Sequence, residues 1–155
     1  MATSSGICAR IALALALAAV VAFSALRAVT AQPAGDRVPV NVIVVHTSNG
    51  EGGVDPRARD LDEKLKKQLR YKSMRVIEQQ RVDLQMNHVG TVQLPDGRAV
   101  RMRPIHKGTK GVLMAVDVPG AVKLDARAPN HHKVVIGAGE YEDGNLAVSI
   151  EPDYN

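Results

Sequence analysis

Val38-Pro39-Val40-Asn41-Val42-Ile43-Val44-Val45-His46 is almost unbroken apolar sequence, rich in β-branched residues. A strand with one wet face alternates apolar and polar positions. A run this continuous predicts a strand buried on both faces. Thr47-Ser48-Asn49-Gly50-Glu51-Gly52-Gly53 follows as a flexible loop, and Asp55-Pro56 opens a helix. The carboxylate caps free backbone N–H groups there, and proline suits the first turn. Ala58, Leu61, Leu65 and Leu69 then recur at helical spacing, opposite Arg57, Asp60, Glu63, Lys64 and Lys67. The pattern predicts one amphipathic helix from Pro56 to about Arg70.

Beyond the helix the period changes to two. Met74, Val76 and Glu78 alternate with Arg75, Ile77 and Gln79, and then Val82, Leu84, Met86 and His88 alternate with polar partners. Leu94-Pro95-Asp96-Gly97-Arg98 is hairpin-turn chemistry between Thr91–Leu94 and Arg98–Ile105. Further turns set off Val112–Val118, Ala121–Arg127, His132–Ala138 and Leu146–Glu151. The fold class is α+β with β dominant: one N-terminal strand–helix–strand unit, then an antiparallel β meander forming a sandwich or curled sheet. The opening unit admits a parallel pair of strands joined by a right-handed crossover. A single α+β domain over 38–155 is expected.

The first 31 residues read as an address. Arg10 precedes an apolar run from Ile11 to Leu26 broken only by Ser24, and Val29-Thr30-Ala31 puts small residues at the −3 and −1 positions of a cleavage site. The run is shorter than the ~20 residues of a spanning helix, so a cleaved signal peptide over 1–31 is expected, with no permanent membrane span afterwards. A flexible mature N-terminus over 32–37 follows. Export to the periplasm or beyond is implied.

The chain holds one Cys and one Phe, and both (Cys8 and Phe23) lie in that leader. The remainder has no Trp and three tyrosines, so disulfides and thiol chemistry are excluded there. Aromatic platforms for sugars or single-stranded nucleic acid are scarce, and no specific nucleic-acid partner is expected.

Several stretches resemble an uncharacterised family of exported bacterial envelope proteins: VNVIVVHTSNGEGGVDP (Val40–Pro56), RYKSMRVIEQQ (Arg70–Gln80), VQLPDGRAV (Val92–Val100) and KVVIGAGEYEDGNLAVSIEP (Lys133–Pro152). The family has no assigned activity, so the resemblance implies an envelope location and carries over no catalytic residue. The closing glycine-flanked strand and hairpin also resemble the last strands of secretin channels.

Chemistry-bearing motifs are few. A dinucleotide fingerprint in the glycine loop would need glycine where Asp55 stands, and no P-loop Gly-Lys-Ser/Thr follows. Ser48 lies near His46 in sequence without an identifiable orienting acid, so no catalytic residue is assigned. No cofactor is expected. His46 and His88 end two strands, and with Met86 they form the candidate metal ligands if those ends meet at one sheet edge. That set carries the alternative function, a small periplasmic metal- or ligand-binding protein.

Charge is the more informative signal. The formal net charge is +4. Lys and Arg dominate between Lys64 and Lys110, whereas Glu140–Asn155 holds acids and no Lys or Arg. Arg101 and Arg103 alternate with Val100 and Met102, so both should face solvent, with Lys64 and Lys67 nearby in one basic patch. The leading expectation is a non-enzymatic exported module that contacts an envelope protein or an anionic polymer or lipid surface.

Overall fold

A computed structural model describes residues 36–154; the expected signal peptide and most of the expected flexible segment lie outside the described residues. Strand β1 (Arg37–Ser48) leads through the glycine loop to a 3₁₀ turn (Pro56–Ala58) and a short helix, α1 (Arg59–Leu65). Seven strands follow: β2 (Ser73–Gln85), β3 (Gly90–Gln93), β4 (Ala99–Gly108), β5 (Gly111–Val118), β6 (Val122–Ala128), β7 (Val134–Tyr141) and β8 (Gly144–Pro152). They form two four-stranded sheets, ordered β2-β1-β8-β7 and β3-β4-β5-β6, and every pairing is antiparallel. The protein is thus mostly antiparallel β, with one short helix. Among the described residues no helix is long and apolar enough to cross a membrane.

β1 is buried on both faces from Val42 onward, whereas Pro39 and Asn41 before it are half-buried. Its even residues Val38, Val40, Val42 and Val44 join the core shared by the two sheets, where they meet residues such as Val100, Met102 and Met114. Its odd residues Ile43 and Val45 point the other way, under Ala58, Leu61 and Leu65. Burying each of those two leucines is worth about 1.5–3 kcal/mol, which holds the helix on the first sheet.

Two expectations are corrected here. The strand after the helix pairs antiparallel to β1, from Arg37↔Gln85 to Ser48↔Ser73. A parallel return must carry the chain back along β1, whose 12 residues span roughly 40 Å. The 7-residue helix covers only about 10 Å. The helix is also shorter than its apolar stripe. It ends at Leu65, and Leu69 still packs on the sheet from a following turn, where its N–H donates to the Leu65 carbonyl. Tyr71 draws the chain back beneath the helix end: its hydroxyl donates to the Asp62 carboxylate at 2.9 Å and faces the Asp62 carbonyl at 3.2 Å.

β2 is one long strand serving two cores. Met74 and Val76 face the helix, while Leu84, with Val82 packed beside it, faces the second sheet. All four are even-numbered, so an uninterrupted strand would put them on one side. A bulge reconciles them: Val45 pairs with Val76 but Val44 pairs with Glu78, leaving Ile77 as the extra residue.

Candidate functional site

The outer face of the first sheet is partly covered by α1, whereas the outer face of β3–β6 carries no covering element among the described residues. On that open face the register aligns Arg101, Asp117 and Lys123 in one row and Arg103, Ala115 and Asp125 in the next. Arg127, opposite Leu113, extends it. Val100 and Met102 are fully buried and Arg101 and Arg103 are exposed, because side chains on a strand alternate. Arg101 lies 3.7 Å from Asp117. Among the described residues, Arg103, Lys123 and Arg127 have no carboxylate within 4.0 Å. The small Ala115 leaves a dent of about 210 Å³ rimmed by Arg101, Arg103, Asp117, Lys123 and Val89. Val89 is 59 % exposed and is the one large apolar side chain so exposed among the described residues.

The expected single basic patch is divided. Lys64 belongs to α1 and Lys67 to the turn after it, and the helix packs on the first sheet, on the side away from β3–β6. The two sheets, about 10 Å apart, stand between them and Arg101 and Arg103. Lys64 donates to the Lys133 carbonyl at 3.0 Å, and with Lys67 and Lys133 it lines a separate groove beside β7. Sequence proximity between helix and strand residues carried no information about which side of the sheets each occupies.

The metal set His46, His88 and Met86 does not converge. His46 lies near the end of β1 that pairs with the start of β2, whereas Met86 and His88 follow the far end of β2. Antiparallel pairing therefore separates them by nearly the length of the strand, roughly 30 Å. His88 instead turns its Nδ1 to the Met86 carbonyl at 3.0 Å, at an exposed corner.

His46 occupies a different setting. It is 6 % exposed, its ring stands edge-on to Tyr141 with centroids 5.6 Å apart, and its Nε2 lies 3.1 Å from the Tyr141 carbonyl and 3.6 Å from the Asp143 carboxylate. Next to it opens a cleft of about 700 Å³, lined by Ser48, Ser73, Arg75, Glu142 and Asp143 and by the 50–55 loop. The loop is tied down at its far end, where the Asp55 N–H donates to the Met74 carbonyl and the Met74 N–H to that of Gly53. Hydrogen bonds from the Arg57 side chain and backbone hold the Asp55 carboxyl down at about 2. Desolvation, and then the Glu142 carboxylate, raise the Tyr141 hydroxyl above its ordinary value.

Ser48 and Ser73 hydrogen-bond to each other at 2.8 Å, and Ser48 Oγ accepts from the Gly50 N–H at 3.3 Å. Neither hydroxyl is bonded to His46, so no nucleophile–base pair is assembled in this cleft. Sequence reasoning found His46 but read Glu142 and Asp143 only as part of a turn and of the acidic Glu140–Asn155 segment. Their approach to His46 depends on β8 pairing with β1 across most of the chain, which no local pattern announces. Compared with protein-family models, curated proteins and solved structures, the chain matches none.

Proposed function

We propose that the protein is an exported, non-enzymatic module of the bacterial envelope that works by contact, laying the outer face of β3–β6 against an acidic envelope protein or an anionic polymer or lipid surface. One observation carries this reading: the open face holds Arg101, Arg103, Lys123 and Arg127 against two carboxylates, Asp117 and Asp125. Each cation beside an anionic lipid surface contributes about 1 kcal/mol, so the face is suited to a weak, salt-sensitive attachment. Cleavage of a signal peptide over 1–31, membership of the exported family and a periplasmic or secreted location belong to the same proposal. So does the finer reading of the fold, a strand–helix–strand opening set on an antiparallel sandwich.

The test is retention on heparin and co-sedimentation with vesicles of phosphatidylglycerol in phosphatidylcholine, across a salt titration. Exposed charges are screened over about 8 Å at physiological ionic strength, so binding should fall steeply as salt rises. Arg101→Glu with Arg103→Glu should abolish it with an unchanged circular dichroism spectrum. No retention by the wild type even at low salt would remove anionic polymers and lipids from the reading.

A further inference from the structure

We propose that His46, Glu142 and Asp143 form a binding site for one divalent transition-metal ion, with Zn²⁺ as the best-matched probe. The inference is independent of the contact face on β3–β6.

Convergence is the first argument. One ligand atom from each of the three side chains lies within 4.8 Å of the other two. The register Thr47↔Asn145 and Ser48↔Gly144 fixes the β7–β8 turn beside the end of β1, so the grouping is set by sheet pairing. His46 is held by burial and by the Tyr141 ring, which leaves its Nε2 aimed at the turn.

Spacing is the second. A zinc ion bonds nitrogen and oxygen at about 2.0–2.2 Å, so neighbouring ligand atoms in a tetrahedral shell lie roughly 3.3–3.6 Å apart. Nε2 of His46 stands 3.1 Å from the Tyr141 carbonyl oxygen and 3.6 Å from Asp143 Oδ1, close to that separation. The carbonyl supplies a fourth donor. The Tyr141 carbonyl can only accept, so in this contact Nε2 carries the ring hydrogen. On metal binding the hydrogen transfers to Nδ1, and the nitrogen lone pair faces the ion.

Donor chemistry selects the class. An imidazole with two carboxylates suits a borderline divalent ion such as Zn²⁺. Ca²⁺ takes oxygen ligands only, and no thiolate is present for softer ions. Two carboxylates supply the compensating charge, opposed nearby by Arg75 at 3.9 Å from Glu142. Glu142 and Asp143 are exposed at the mouth of the cleft, so an ion has an open path and water can complete its shell.

The test measures Zn²⁺ affinity of the untagged protein by competition with a chromophoric chelator. One equivalent should bind, and Ca²⁺ should not compete. Glu142→Gln with Asp143→Asn should weaken binding about tenfold or more, and those exposed carboxamides leave packing intact. His46→Gln should do the same, whereas His131→Ala with His132→Ala should bind as the wild type does. Wild-type affinity in the Glu142/Asp143 double variant, or no saturable Zn²⁺ binding by the wild type, would overturn the site.

Discussion

Arg98 reaches from the β3–β4 turn to the carbonyl of Ala138 on β7, with Nη2 2.6 Å from the oxygen, and so links the second sheet to the edge of the first. Its Nη1 donates to the Pro119 carbonyl at 2.9 Å, and Asp96 orients the guanidinium through Nε at 2.7 Å. That pairing with Arg98 draws the Asp96 carboxyl below its usual range.

Arg98→Ala should therefore cost about 2 kcal/mol, because carbonyls served by a charged donor lose it at a half-buried site. The melting temperature should fall by roughly 8 °C, read by circular dichroism. Arg98→Lys should recover little of this, since one ammonium cannot serve three acceptors set in different directions.

Gly144 sits where β8 leaves its turn, and a Cβ there would collide with the Thr47 carbonyl. Gly144→Ala should destabilise by at least about 3 kcal/mol in urea unfolding, since backbone has to move. Gly97→Ala is the contrast: nothing crowds that position, but its φ of +85° is unfavourable for a side chain. It should cost about 1–2 kcal/mol.

Burial, followed by the Asp62 carboxylate, holds the Tyr71 hydroxyl above its ordinary value. A raised folded-state pKa favours the protonated phenol in the fold. Its contribution is full below about pH 10, the unfolded value, and declines as pH rises from there through the folded value. Tyr71→Phe should cost about 1 kcal/mol at neutral pH. Between that pH and strong alkali the wild type should lose stability more steeply than the variant, as urea midpoints against pH would record.

Processing is checked by intact mass and N-terminal sequencing of the protein from its native envelope. Gln32 is the expected first residue; retention of the first 31 residues would mean an uncleaved leader and a tethered domain.

Much of the fold was legible because it rests on local alternation. Burial on both faces from Val42 to His46 followed from sequence, and Pro95-Asp96-Gly97 turns the chain where its chemistry requires. What escaped depends on pairing between distant segments. The even-numbered residues of β2 share one phase in sequence, and only the bulge at Ile77 sends Met74 and Leu84 to opposite cores. The antiparallel direction of β2 escaped as well: the apolar stripe predicts a helix from Pro56 to about Arg70, whereas α1 stops at Leu65. Of the candidate residues, the outward placement of Arg101 and Arg103 came from alternation with Val100 and Met102. The separation of Lys64 and Lys67 from them, and of His88 from His46, came from which side or end of a sheet each element occupies.

The contact face is tested most directly by mapping it. Backbone amide shifts of the ¹⁵N-labelled protein should be followed as a heparin oligosaccharide is added at low salt. The account predicts perturbations confined to Arg101–Arg103, Ala115–Asp117 and Lys123–Arg127, reversed by added salt. Shifts centred instead on Lys64, Lys67 and Lys133, or on the cleft beside His46, would contradict it, as would no shifts at all.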